Sequence, residues 1–141
     1  MTMPQLNPTI TFIMPIQNQK EFLIEQINTI FKFSEQYRGF CEIIVLTDEK
    51  EDTKLKLVWL AMKLNKISHP HVRTRMIRYT SELGLQSLIQ TSINHALGQK
   101  IVITTSTPEK IEMTKITDIM ERHILITEYI FDVNILQENL T

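Results

Sequence analysis

Stretches that are almost wholly apolar and β-branched recur along this chain, and segments of helical period lie between them. The first is Thr9–Ile16 (TITFIMPI), flanked by prolines at 8 and 15. Cys41–Thr47 (CEIIVLT), Ile101–Thr105 (IVITT) and Ile124–Ile130 (ILITEYI) repeat the pattern. A strand without polar alternation is one covered on both faces, the usual condition of a parallel sheet between helices. His71–Tyr79 (HVRTRMIRY) alternates instead, which predicts a strand with one solvated face.

The helical segments fit between these runs. From Asn18 to Gln36, residues Leu23, Ile27, Ile30, Phe31 and Ser34 follow helical spacing, with Asn18 as cap and Glu21 in capping-box position. A second helix is expected over Leu55–Leu64, and a third over Leu83–Leu97, closed by Gly98. Pro108 suits the first turn of a fourth helix over Glu109–Arg122. The last ten residues carry no clear signal. Strands alternating with helices predict the α/β class: one three-layer domain over residues 1–141, a mostly parallel sheet with helices on both faces. Met62, Met76, Met113 and Met120 sit at spacings expected of core residues.

Composition excludes several functions. Fifteen basic against sixteen acidic residues give no overall field favouring nucleic acid. No apolar run approaches the roughly 20 residues of a membrane span, and the first residues lack the pattern of a secretory signal. A single cysteine, Cys41, excludes an internal disulfide and fits a reducing compartment, so the default address is the cytoplasm. Because Cys41 opens a strand rather than ending one, it is poorly placed to be a nucleophile. Only three glycines are present, with no G-x-G-x-x-G, P-loop or G-x-S-x-G elbow.

In open α/β sheets, ligands lie beyond the carboxyl ends of the strands, where strand order reverses. Those ends are Pro15–Lys20, Thr47–Asp52, Tyr79–Gly84, Thr105–Pro108 and Phe131 onward. Read in order, ITFIMPIQNQKEF, CEIIVLTDEKEDT and VRTRMIRYTSELGLQSLIQTSINHALGQKIVITTS resemble the nucleotide half of family 2 glycosyltransferases. The likeness is nearest to the dolichyl-phosphate sugar transferases and covers about residues 9–107. Such enzymes carry P-x-Y-N-E, then E-I-I-V-V-D-D-G-S, then V-x-V-I-x-x-x-x-N-x-G-x-G, a helix ending A-x-G, and an apolar strand bearing D-A-D. The resemblance implies a Rossmann-like, A-type glycosyltransferase half with strand order third, second, first, fourth.

It further implies which residues would hold a nucleotide. Pro15, Ile16, Gln17 and Asn18 occupy the P-x-Y-N positions, with Gln19 in place of the acidic residue. Asp48 matches one of two aspartates, Thr47 replacing the other and Glu49 replacing the glycine; in the family this loop and pair hold the base. Gly84 matches one loop glycine. The metal-binding D-A-D falls on Thr105, Ser106 and Thr107, and no Asp or Glu occurs from Leu83 to Pro108. A divalent cation expected of the family therefore lacks the carboxylate it needs, so no cofactor is expected. The family's acceptor segment follows that strand, and Thr107–Thr141 is too short to supply it.

Each of these residues also has a structural reading. Asp48 either accepts a bond from a base or starts a solvated turn, and Asn18 either contacts a nucleotide or caps a helix. Gly84 either admits a ligand or serves a turn. The Thr104–Thr107 run either binds an anion at a helix start or caps it. His69, His71, Arg73 and Arg75 share one side of an extended strand, either as a phosphate or nucleic-acid patch, with the two histidines as a partial metal site, or as charges that guard a sheet edge. The leading expectation is a degenerate glycosyltransferase-like protein without autonomous transfer, retaining nucleotide or sugar-nucleotide binding or serving as an interaction module. One alternative is an active transferase completed by a partner protein or a homo-oligomer. The other is a structural homo-oligomer without ligand.

Overall fold

A computed structural model describes residues 8–15, 20–37, 39–48, 70–79, 84–105, 107–128 and 133–140. Five strands form one all-parallel sheet: β1 (Ile10–Pro15), β2 (Cys41–Asp48), β3 (Val72–Tyr79), β4 (Lys100–Thr104) and β5 (His123–Thr127). Their order is β3-β2-β1-β4-β5. The chain steps outward from β1 to β3, then crosses back to the far side of β1. The three helices described are α1 (Lys20–Tyr37), α2 (Leu85–His95) and α3 (Val133–Leu140). The expected α/β class, parallel sheet and single layer order are present. The helix expected over Leu55–Leu64 lies outside the described residues.

Alternation along each strand divides the apolar residues into two cores. Ile10, Phe12, Met14, Cys41, Ile43, Val45, Val72 and Val102 face α1 and α3, which contribute Ile27, Ile30, Phe33, Leu136 and Leu140. Phe33 meets Phe12 edge-on at 6.1 Å and stacks on Tyr37 at 5.1 Å. Ile13, Ile44, Leu46, Ile101 and Ile103 face the other way, against Leu88, Ile89, Ile93 and Ala96 of α2. Each fully buried Ile or Phe contributes about 1.5–3 kcal/mol. Both faces of β1, β2 and β4 are thus covered, which is why their runs lack polar alternation.

Three expectations need correction. No helix spans Glu109–Arg122; the segment has two 3-10 turns, Pro108–Lys110 and Met113–Lys115, and otherwise runs irregularly past α2. Its backbone is held by side chains. The Gln86 amide donates to the Glu112 carbonyl (3.0 Å) and accepts from its N–H (2.8 Å). Gln90, one turn further, does the same with Thr117 (2.7 and 2.9 Å). Backbone groups engaged this way are lost to an i→i−4 ladder. Met113 and Met120 are consequently 46% and 69% exposed rather than in the core, whereas Met76 packs partly buried. The C-terminal residues, without clear signal in the sequence, form α3.

The third correction concerns the strand His71–Tyr79 and the end of α2. Among the described residues β3 is the sheet edge, but its charged face is not simply solvated. Arg75 approaches the fully buried Glu42 (Nη2 to Oε2, 2.9 Å) and donates to the His95 carbonyl at 2.7 Å. The first contact is an ion pair. Glu42 Oε1 accepts from Thr11 Oγ1 (3.0 Å) and the Leu97 N–H (3.1 Å), and Thr11 Oγ1 accepts from the Gly98 N–H (2.8 Å). Gly98 does not close α2 in a left-handed conformation, since no described glycine has positive φ. Its role is spatial: a Cβ there would lie 2.5 Å from the Thr11 nitrogen.

A second arginine completes this end of α2. Arg122 donates to the carbonyls of Ala96 (2.6 Å), Gly98 (3.0 Å) and Ile93 (2.8 Å), and pairs with Asp118 at 3.1 Å. Both side chains are more than nine-tenths buried. Asp118 also accepts from the N–H groups of Met120 and Arg122, closing a turn in which Glu121 takes φ 51°. The Arg122 hydrogen bond holds the Asp118 carboxyl below its ordinary 3.8. Apart from the Ala96 N–H, which the Ile93 carbonyl accepts at 3.2 Å, the carbonyls at this end of α2 are thus met by two guanidinium groups.

Candidate functional site

The opposite, carboxyl edge carries the residues singled out from the sequence. β1 pairs with β2 from Ile10 to Pro15 (Pro15↔Leu46), but its pairing with β4 ends at Ile13↔Ile103. Past that point β4 continues its ladder with β5, the Thr105 N–H donating to the Thr127 carbonyl at 3.0 Å. The β1–β4 pairing thus ends short of Pro15, at the point where strand order reverses.

Pro15, buried, is the last residue of β1, on one side of the point where that pairing ends. Ile16, Gln17 and Asn18 lie outside the described residues. Asp48 ends β2 in register with Tyr79, two positions beyond the partner of Pro15, or about 7 Å further along. Gly84 is the N-cap of α2, extended at φ −68°, its carbonyl accepting from the Leu88 N–H at 3.1 Å. A Cβ on Gly84 would meet nothing within 4 Å, so no close approach by the described residues demands a glycine there.

Thr105 and Thr107 follow β4 on the other side, and Ser106 lies outside the described residues. Thr105 is fully buried, and its Oγ1 accepts from the Thr107 N–H at 3.2 Å, a turn closed by its own hydroxyl. Thr104 Oγ1 and Thr107 Oγ1 are buried with no hydrogen-bond partner among the described residues. A hydroxyl left in that condition costs about 1–3 kcal/mol unless something meets it. The anion site expected at a helix start after Pro108 fails, because only the short turn Pro108–Lys110 follows.

The chemistry available here is neutral hydrogen bonding. Thr104, Thr105 and Thr107 offer hydroxyls, and that of Thr105 already accepts from within the turn. Such a donor set does not fit a divalent cation, which requires carboxylate charge to leave its hydration shell. Among the described residues, no three His, Cys, Asp or Glu gather as a metal site. His69 lies outside the described residues, and His71 is exposed in the turn ahead of β3. Among the described residues no helix is long and apolar enough to cross a membrane.

No family model and no curated protein matches this chain. The site must be read from its own geometry.

Cys41 lies at the amino edge, fully buried, and burial pushes its thiol up to about 12. It remains a thiol at neutral pH and, at the start of β2, is remote from the carboxyl edge. Its reaction with a thiol reagent such as 5,5′-dithiobis(2-nitrobenzoate) is expected to be at least about 100-fold slower in the native protein than in guanidinium, following opening of the sheet. Stopped absorbance assays at pH 8 with and without denaturant measure this.

Proposed function

We propose that the carboxyl edge binds a nucleotide where the pairing of β1 and β4 ends, without metal-dependent glycosyl transfer. The observation that carries the reading is the end of the β1–β4 pairing at the strand-order reversal, with buried hydroxyls at the end of β4 and just beyond it that no described residue meets. The order of apolar strands and the residues Pro15–Asn18 and Asp48, which resemble the base-binding positions of family 2 glycosyltransferases, support it. In this reading Asp48 accepts hydrogen bonds from the base, and the threonine hydroxyls donate to the ribose or phosphate oxygens. A leaving diphosphate would have no charge to neutralise it, since no carboxylate from Leu83 to Pro108 can recruit a cation. The protein is thus a degenerate relative of sugar-nucleotide transferases that recognises rather than transfers.

Isothermal titration of the full chain with uridine and guanosine diphosphates tests this. Binding is expected with the same affinity in EDTA and in Mg²⁺ or Mn²⁺, weakened about tenfold by Asp48→Ala through loss of a charge-assisted hydrogen bond. Gly84→Ala, whose methyl has free space, reports ligand contact without disturbing the fold. No heat with either nucleotide removes the proposal. Metal-dependent turnover of a sugar nucleotide overturns the non-catalytic part of it.

A further inference from the structure

The two edges of the sheet are unlike each other. β3 carries Arg73, Arg75 and Arg78 in its sequence, so two copies meeting edge to edge there would oppose like charges. β5 reads His-Ile-Leu-Ile-Thr, has no Lys, Arg, Asp, Glu or Pro to guard it, and leaves Ile124, Leu125 and Ile126 only half-buried. It stands last in the strand order, with no strand beyond it among the described residues. The turn leading into it exposes Ile119 completely and Met120 by 69%.

The direction of its free backbone groups follows from one hydrogen bond. The Thr127 carbonyl accepts from Thr105, so Thr127 faces β4. Backbone groups alternate from side to side along a strand, so Leu125 and His123 also face β4 while Ile124 and Ile126 point outward. The outward groups are therefore an N–H and a C=O on each of two isoleucines, with Leu125 midway between them. That arrangement is its own complement under a two-fold rotation. Placing the axis at Leu125 sets Ile124 opposite Ile126 of the second copy, each pair exchanging two hydrogen bonds, and sets Leu125 opposite its own equivalent.

We propose that β5 is a dimerisation edge, pairing antiparallel with β5 of a second copy of this chain about an axis through Leu125. The pairing satisfies all four outward groups of Ile124 and Ile126 and joins two five-stranded sheets into one of ten. Cross-strand Ile124–Ile126 contacts extend the core shared with α2, and the Leu125 pair extends the one shared with α1 and α3. The charge pattern selects this edge over β3. A five-residue strand is a small interface, so the dimer dissociates in the micromolar range. The inference is independent of nucleotide binding at the carboxyl edge.

Sedimentation equilibrium of the full chain, from about 1 to 200 μM, tests it through a monomer–dimer curve. Leu125→Lys, which opposes two charges across the axis, is expected to shift the dissociation constant upward at least about tenfold. Covalent trapping gives an answer that does not depend on that variant folding. With oxidised glutathione as electron acceptor, Leu125→Cys is expected to form a disulfide-linked dimer, because directly opposed residues of a non-hydrogen-bonded pair lie within disulfide reach. Ile124→Cys, opposite Ile126, does not link to itself. A monomer throughout the range, an unlinked Leu125→Cys protein, or a dimer unaffected by Leu125→Lys overturns the proposal.

Discussion

Arg122→Ala is expected to destabilise the fold by about 3–5 kcal/mol, the cost of breaking a buried pair by removing one partner. The carbonyls of Ala96 and Gly98 lose the Arg122 donor at once, and that of Ile93 keeps only the Ala96 N–H. Asp118 is left as a carboxylate whose side chain is only 9% exposed. Calorimetry should record a fall in Tm of about 10–15 °C for a domain of this size. Arg122→Lys restores charge but not the fork that reaches three carbonyls, so it should recover only part of the loss. The double variant Arg122→Ala, Asp118→Asn should be more stable than Arg122→Ala alone.

The same pair sets a pH dependence of known sign. Asp118 titrates below its ordinary 3.8 in the folded chain, so its ionised form is favoured by folding. Its contribution is complete above that ordinary value and is lost as pH falls through the lower, folded one. Urea midpoints of the native protein and of Arg122→Ala should therefore be far apart at pH 7 and draw closer in acid, the remaining gap being the lost carbonyl hydrogen bonds. A constant gap down to pH 2 would show that Asp118 carries none of the effect.

Gly98→Ala should cost about 3 kcal/mol or more, out of proportion to one methyl. The added carbon would stand 2.5 Å from the Thr11 nitrogen, 2.6 Å from its Oγ1 and 2.8 Å from the Ile10 carbonyl carbon. Two of those atoms belong to the backbone of the central strand and cannot turn aside. Any relief must lengthen the Gly98 N–H bond to Thr11 and disturb the Glu42 oxygen behind it. Urea titration followed by far-ultraviolet circular dichroism measures the change. Thr11→Ala should not rescue it, since the nearest contact is with a main-chain atom.

The elements legible in the sequence are those whose cause is local or uniform. β1, β2 and β4 could be placed because both faces are covered, so every position is apolar. α1 and α2 could be placed because one stripe faces one core. Glu109–Arg122 was not legible, because what prevents the helix is Gln86 and Gln90, more than twenty residues upstream. α3 did offer a sign in Val133, Leu136 and Leu140, an apolar i, i+3, i+7 set, but eight residues are too few for periodicity alone to decide. Glu42, a lone charge within CEIIVLT, is the clearest signal that was passed over. Its meaning needed Arg75, Leu97 and Thr11 beside it. Of the candidate site, the edge was legible from strand order, while the empty hydrogen-bonding capacity of Thr104 and Thr107 depends on packing.

The Glu42 network also bears on how the chain is made. Its carboxylate is supplied by β2, yet of its partners only Thr11 and Arg75 precede residue 96; Leu97 and Gly98 come from positions 55 and 87 residues beyond Glu42 and Thr11, respectively. Arg122 follows later still. During vectorial synthesis the amino-terminal strands emerge with an acidic group that cannot yet be enclosed without loss, so the sheet stays open until its second half is available. Docking of α2 is then the committing step, and a nascent chain arrested before residue 122 should remain sensitive to protease along its whole length.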